Sequence, residues 1–92
     1  MTTPKSMTFL SYGSSGAPVQ LLQGYLNGLP SQMLKLVEDG AFGGKTKARV
    51  QEFQSRNALA SDAVVGPLTW DAILKALGGP NQWLQRFRII QA

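Results

Sequence analysis

Apolar residues recur at helical spacing in three separate stretches of the chain. In each stretch they are three or four residues apart, which places them on one face of an α-helix. The buried faces are predicted to comprise Val19, Leu22, Leu26 and Leu29, then Thr46, Val50, Phe53 and Asn57, then Trp70, Ile73, Leu74 and Leu77. We expect Leu21 and Tyr25 to widen the first face. Three amphipathic helices of this kind predict an all-α three-helix bundle.

Residues that favour helix ends flank these stretches. Ser15 is the predicted N-cap of the first helix, and Pro18 suits its first turn, where a missing N–H costs nothing. Asn27-Gly28 and Pro30 are predicted to end that helix. The second helix is predicted to run from about 44 to 57. Pro67 fits the first position of the third helix, with Gly66 as its cap.

The second and third helices are each preceded by the same short motif. Three residues of the first motif match three of the second at an offset of 23 positions, and Val50 matches Ile73 at the same offset. The matching residues are Asp39, Gly43 and Thr46 in the first copy, and Asp62, Gly66 and Thr69 in the second. The chain therefore contains an internal duplication, and two copies are fewer than a solenoid needs.

Outside the helices the pattern is less regular. Residues 31–38 are apolar enough for either a helical turn or a strand, and so short a run does not distinguish the two. We divide the chain into an N-terminal arm at 1–9, a domain at 10–78 and a C-terminal tail at 79–92. Phe9 lies in a stretch of strand-like composition, and Phe87 alternates with arginines in the tail. Trp83, Phe87 and Ile90 also fit one face of a helix, so the tail is either a helix or a strand. If it is a strand, a short β-pairing of the terminal arms is expected to accompany the bundle.

The composition excludes several classes of enzyme. The chain of 92 residues has no His and no Cys, so it lacks the usual ligands of catalytic zinc and the usual base for a serine or cysteine nucleophile. Five carboxylates remain for chemistry. Glycosidases need two of them facing each other across a cleft, which so short a chain does not favour. We therefore expect no enzymatic activity, no cofactor and no metal.

Charge and hydropathy indicate the kind of partner. The formal net charge of +4 favours an anionic polymer, but the cations are scattered rather than clustered. No stretch approaches the roughly 20 apolar residues of a membrane span. The first residues, MTTPKSMTFLSYG, lack the apolar core of a secretory signal peptide.

Three motifs together resemble a known family. They are YGSSGAPVQLLQ at 12–23, DGAFGGKTKARVQEFQ at 39–54 and VVGPLTWDAI at 64–73. In this order they resemble the most common type of peptidoglycan-binding domain, a small three-helix module found beside bacterial cell-wall hydrolases. The resemblance covers residues 10–77. One departure is Gly44, which stands where the family most often has proline.

The resemblance implies non-catalytic binding of peptidoglycan, through its stem peptide or its glycan. It also implies a location in the cell envelope and a cell-wall hydrolase or an envelope protein as a further partner. We expect the domain to be a monomer.

The start of the second helix is the predicted binding site. Its free N–H groups carry partial positive charge, and its glycines leave the backbone open to a carboxylate. Asp39 and Asp62 are each expected to accept backbone N–H bonds within their own loops. Gln23 and Gln54 are expected either to hydrogen-bond loop backbone or to line the ligand groove. The predicted ligand-binding residues are Gln23, Asp39, Phe42, Gly43, Gly44, Lys45, Arg49, Gln54 and Trp70.

Solvated surface and core are the competing interpretations of these residues. The basic residues of the second helix suit an ordinary wet face equally well. Phe53 is expected in the core, and Trp70 is also more often a core residue than a stacking platform.

Two other functions fit a small basic bundle. A DNA-binding helix-turn-helix would use the third helix, which offers Lys75 and Asp71 but no Asn, Gln or Arg to contact base edges, so we expect no nucleic-acid partner. An assembly module, for example of a phage or secretion apparatus, would keep the fold without wall binding. Trp83 and Phe87 of the tail are the residues that favour this alternative.

Overall fold

Three α-helices form the domain, as the apolar spacing predicts. The computed structural model describes residues 9–78 of the chain. Helix α1 spans Ala17–Asn27, α2 spans Gly44–Arg56 and α3 spans Pro67–Ala76. Within 9–78 the β-type pairing consists of two isolated antiparallel bridges, Leu10 with Val65 and Ser15 with Ala41. The all-α class is confirmed.

The predicted cap of α1 was wrong by one residue. Gly16, not Ser15, is the N-cap, and no side chain caps the helix. Gly16 has φ 110° and ψ −170°, a backbone conformation that glycine adopts without strain. The backbone of Ser15 is instead part of the bridge with Ala41. This pairing fixes the chain before the helix begins, so the serine is not placed to cap it.

The three predicted faces meet in one core. Val19, Val50 and Ile73, one from each helix, are almost completely inaccessible to solvent. Phe53 and Trp70 are also buried, as the core interpretation predicts. The other buried apolar side chains of the cluster are Leu10, Leu22, Leu26, Leu29, Leu36, Phe42 and Val65.

The buried face of α1 is narrower than predicted. Leu21 is 52% exposed, whereas Tyr25 packs against the core. Leu21 lies with Gln20 and Glu38 at a shallow surface groove, because α1 packs on the core through a stripe that its neighbours Leu22 and Leu26 already fill. At the end of α2, Asn57 is exposed as the C-cap rather than buried.

Leu10, the first residue of the domain, is joined to the loop before α3. Leu10 and Val65 exchange two backbone hydrogen bonds, of 3.0 and 2.8 Å. The pairing that the sequence suggested was with the tail at 79–92, which lies outside the described residues, as do residues 1–8.

The duplication is visible as two identical hydrogen-bond networks. In the first copy, the Gln23 amide nitrogen on α1 donates to Asp39 Oδ1 at 3.2 Å, to Ala41 O at 3.0 Å and to Thr46 Oγ1 at 3.1 Å. The Gln23 amide oxygen accepts the N–H of Gly40 at 2.9 Å. One buried side chain thus connects α1, the loop and the first turn of α2.

The second copy repeats these contacts atom for atom. Gln54 Nε2 on α2 donates to Asp62 Oδ1 at 3.1 Å, to Val64 O at 2.9 Å and to Thr69 Oγ1 at 3.2 Å. Its oxygen accepts the N–H of Ala63 at 2.9 Å. Ala63 has φ 64°, close to the 76° of its counterpart Gly40, so the loop keeps one conformation in both copies.

The two copies differ in loop length. Gln23 and Asp39 are 16 residues apart, while Gln54 and Asp62 are 8 apart, so the first loop carries eight additional residues. This insertion is irregular, neither the helical turn nor the strand considered from sequence.

Several hydrogen bonds attach the insertion to the helices. The Asn27 side chain bonds both backbone groups of Leu36, which is itself buried in the core. Ser31 Oγ donates to Glu52 Oε1 on α2 at 2.6 Å.

Replacing Gln54 by alanine tests the networks. The variant loses four hydrogen bonds and leaves the Ala63 N–H without its acceptor inside the fold. We expect a loss of about 1–3 kcal/mol in unfolding free energy for each buried group left unpaired, measured by urea denaturation. Gln51→Ala is the matched control, because the side chain of Gln51, on the same helix, makes a single hydrogen bond of 3.5 Å. Equal losses in the two variants would contradict the role given to the buried amide.

Glu52 should make stability depend on pH. The hydrogen bond from Ser31 lowers the pKa of Glu52 below its usual 4.5, and bonds from Gln32 and Arg49 act in the same direction. A lowered folded-state pKa stabilises the fold above the unfolded value, and this contribution disappears as pH falls through the folded value. Glu52→Gln should therefore be less stable than the natural chain at about pH 7, and the difference should shrink near pH 3. Urea denaturation at both pH values checks this, and a difference that grows on acidification would contradict it.

Candidate functional site

An open groove of about 340 Å³ lies at the start of α2. Its floor is the first hydrogen-bond network, and its rim is the Gly43-Gly44-Lys45 segment. A Cβ atom built on Gly43 or Gly44 would meet no atom within 4 Å, so the backbone here is open to close approach. The full lining is Gln23, Leu36, Val37, Asp39, Ala41, Gly43, Gly44, Lys45 and Thr46.

Asp39 has the loop-capping role predicted for it. Its Oδ1 accepts the Ala41 N–H at 2.9 Å and the Gln23 amide at 3.2 Å. These two bonds, the first above all, lower the pKa of Asp39 below its usual 3.8. The carboxylate is therefore ionised at neutral pH and is exposed at the groove. Asp62 caps the second loop in the same way, through Val64 N–H at 2.9 Å.

The three cations in the first half of α2, Lys45, Lys47 and Arg49, are in different surroundings. Lys45 is exposed and lines the groove. Lys47 is directed elsewhere, with its Nζ 5.9 Å from the centre of the Tyr12 ring, a cation–π contact. Arg49 is only 3% exposed, although the sequence analysis placed it among the ligand-binding cations.

Arg49 connects α2 to the end of α1. Its Nη2 donates to the carbonyl oxygens of Leu26 and Leu29, the latter at 3.1 Å, and its Nη1 bonds Glu52 at 3.1 Å. The last carbonyls of a helix have no partner within the helix, and a guanidinium is well suited to satisfy them. Burial lowers the pKa of Arg49, and the ion pair with Glu52 opposes that change.

The remaining predicted residues are buried. Gln23 and Gln54 bond loop backbone, which is the first of the two roles considered for them. Phe42 is in the core, and Trp70 packs edge-on against Tyr25 with ring centres 6.4 Å apart. The structure brings Gln23, Asp39, Gly43, Gly44 and Lys45 together at the groove, whereas Phe42 and Arg49 lie beneath and beside it and Gln54 and Trp70 belong to the second copy. A ligand-binding role for any of the nine stays a prediction.

The equivalent position in the second copy has different chemistry. Pro67 and Leu68 stand where the first copy has Gly44 and Lys45, so an N–H and a cation are replaced by apolar groups. The Phe9 ring also covers Gly66, because a Cβ there would lie 2.7 Å from Phe9 Cε2. The groove at this point has a volume of about 200 Å³. The two copies thus present grooves lined by the same glutamine, aspartate and threonine, and these grooves differ at the rim, where the second copy lacks an N–H and a cation.

Sequence reasoning missed the contribution of the insertion. Leu36 and Val37 form one wall of the α2 groove, and residues 33–36 continue along α2. The insertion has no counterpart in the second copy, so the repeat gave no signal for it.

Comparison with known families now identifies the fold. The sequence profile of the peptidoglycan binding domain matches residues 15–73, well over half of the chain. The chain belongs to the peptidoglycan-binding domain family. This confirms the resemblance of its three motifs.

Two curated proteins are similar to the chain. It is 48% identical over 64 residues to the zinc D-Ala-D-Ala carboxypeptidase of Streptomyces albus G, covering 70% of this chain and 25% of that protein. It is 46% identical over 65 residues to an uncharacterized protein in the bpoA1 3′ region of Kitasatospora aureofaciens, covering 71% of this chain and 54% of that one. The chain therefore spans between a quarter and about half of the length of these relatives.

Two crystal structures share the fold. The SleB N-terminal domain superposes with a TM-score of 0.68 at 31% identity, over 78% of this chain and 96% of that one. The Burkholderia AP3 phage endolysin gives 0.62 at 32% identity, over 72% of this chain and 24% of that one. In the peptidoglycan-binding domain described here, residues 9–78 include no helix with the length and apolarity needed to cross a bilayer.

Proposed function

We propose that this domain binds bacterial peptidoglycan without catalysing a reaction, through the groove at the start of α2. The observation that supports this is the asymmetry of the duplicated scaffold. Both copies have an open groove, but the rim of the first carries bare glycine backbone and Lys45, whereas the rim of the second carries Pro67 and Leu68. Exposed N–H groups beside a cation suit the anionic groups of a wall polymer.

The carboxylates support a non-catalytic role. General acids of glycoside hydrolysis need a raised pKa, whereas the pKa values of Asp39 and Glu52 are lowered. All five carboxylates of the chain also have a structural partner. These pairs are Glu38 with Asn27, Asp39 with Ala41, Glu52 with Ser31, Asp62 with Val64, and Asp71 with Lys75.

The relatives support a targeting role. The chain matches about a quarter of a carboxypeptidase and about a quarter of an endolysin. We propose that it acts in the cell envelope as a monomeric module that holds an attached or partner hydrolase on the wall. Weak binding suffices for this purpose, since attachment to a repetitive polymer multiplies the effect of each contact.

Lys45→Glu should reduce binding to purified, insoluble peptidoglycan sacculi. Reversing this charge places repulsion at the groove, and we expect about a fivefold to tenfold loss of affinity in a pelleting assay at low salt. Lys75→Glu is the matched control, because Lys75 is an exposed lysine on α3, far in sequence from the groove, and its substitution changes the net charge equally.

Two results would contradict the proposal. If both variants lost affinity equally, binding would depend on net charge rather than on this groove. If the folded natural domain did not pellet with sacculi at all, wall binding itself would be wrong, and the assembly role would replace it.

A further inference from the structure

A second groove adjoins the first on the other side of Lys45. It has a volume of about 330 Å³ and lies between the inserted loop and α2. Leu36 and Lys45 line both grooves, so the two are continuous. The inserted loop forms one whole wall, and the shorter second copy cannot form a counterpart.

The charges lining this groove have one sign. Lys35 and Lys45 are exposed cations, whereas the charge of Arg49, which also lines the wall, is paired with Glu52. No acidic residue is among the described residues that line it. The neighbouring groove at the start of α2 differs, because it contains the ionised Asp39. Of the two grooves, this one therefore offers the better electrostatic environment for a carboxylate.

The wall also holds a hydrogen-bond donor without an acceptor. Arg49 Nε is the one buried side-chain nitrogen or oxygen, among residues 9–78, that has no hydrogen-bond partner. Buried donors are nearly always paired, and an unpaired one costs about 1–3 kcal/mol. This nitrogen is buried, so it lies out of reach of a ligand in the groove.

The other residues that line this groove have apolar side chains. Leu34 is 89% exposed, Met33 is also exposed, and Ala48 is half-buried on α2. Exposed apolar side chains next to cations suit a ligand that combines a carboxylate with short aliphatic groups. A glycan strand, whose sugars expose mainly hydroxyl and amide groups, suits such a groove less well.

We propose that this groove binds the carboxylate-terminated end of a peptidoglycan stem peptide. The terminal carboxylate lies near Lys35 and Lys45, and the methyl groups of D-alanine contact Leu34 and Ala48. This inference rests on the proposed wall binding and adds to it the chemical part of the wall that is recognised. It also assigns a role to the insertion that distinguishes the first copy from the second.

The test is a titration of the domain with diacetyl-lysyl-D-alanyl-D-alanine, in which binding is measured from the changes in backbone amide chemical shifts. The same tripeptide with an amidated C-terminus should bind about tenfold more weakly, because it lacks the charge. Leu34→Ser should weaken binding of the free-acid peptide about threefold to fivefold through lost apolar contact. Leu68→Ser is the matched control, since Leu68 is also exposed but lies at the second copy, and it should change nothing.

The outcomes separate this inference from the proposed function. A natural domain that pellets with sacculi but does not bind the peptide would overturn the inference and leave wall binding intact. Equal affinity for the acid and the amide, or equal losses in the two leucine variants, would also overturn it. A domain that binds neither sacculi nor peptide would overturn both proposals.

Discussion

The buried amide of a glutamine is the interaction on which this domain depends. A loop that enters a small core brings polar backbone groups with it, and each must be paired. Gln23 and Gln54 do this from the preceding helix, because a carboxamide donates and accepts at the same time. A glutamate at the same place would lack the donor, and a leucine would lack both. The amide thereby fixes the loop aspartate and the threonine that begins the next helix.

Because this network occurs twice, the residues that build the scaffold can be distinguished from those proposed to bind a ligand. The same helix, loop and helix start occur twice with nearly identical hydrogen-bond lengths, so the scaffold imposes no difference between the copies. The difference lies at the rim, where Gly44 and Lys45 replace Pro67 and Leu68, and in the inserted loop. Glu52 attaches that loop to α2 through Ser31 and Gln32.

Local signals in the sequence predicted most of the scaffold. Apolar spacing predicted the three helices, and the repeated Asp and Gly positions predicted both loops, since these residues act through near neighbours. The predictions for Ser15 and Leu21 were wrong because contacts distant in sequence determine both positions. The bridge to Ala41 positions the chain before α1, and neighbouring leucines fill the core face of that helix. The burial of Arg49 also depends on distant atoms, the carbonyls of Leu26 and Leu29. The insertion had no repeat partner, so its grooves were visible only in three dimensions.

The most direct test of the account is a residue-by-residue chemical-shift titration of the domain with soluble peptidoglycan fragments. The duplication supplies an internal control, because Gly43 and Lys45 of the first copy have equivalents in Gly66 and Leu68 of the second. We predict large amide shifts at Gly43, Gly44 and Lys45, and little change at Gly66 and Leu68. Shifts centred on the second copy, or none at saturating fragment, would contradict a binding site at the start of α2.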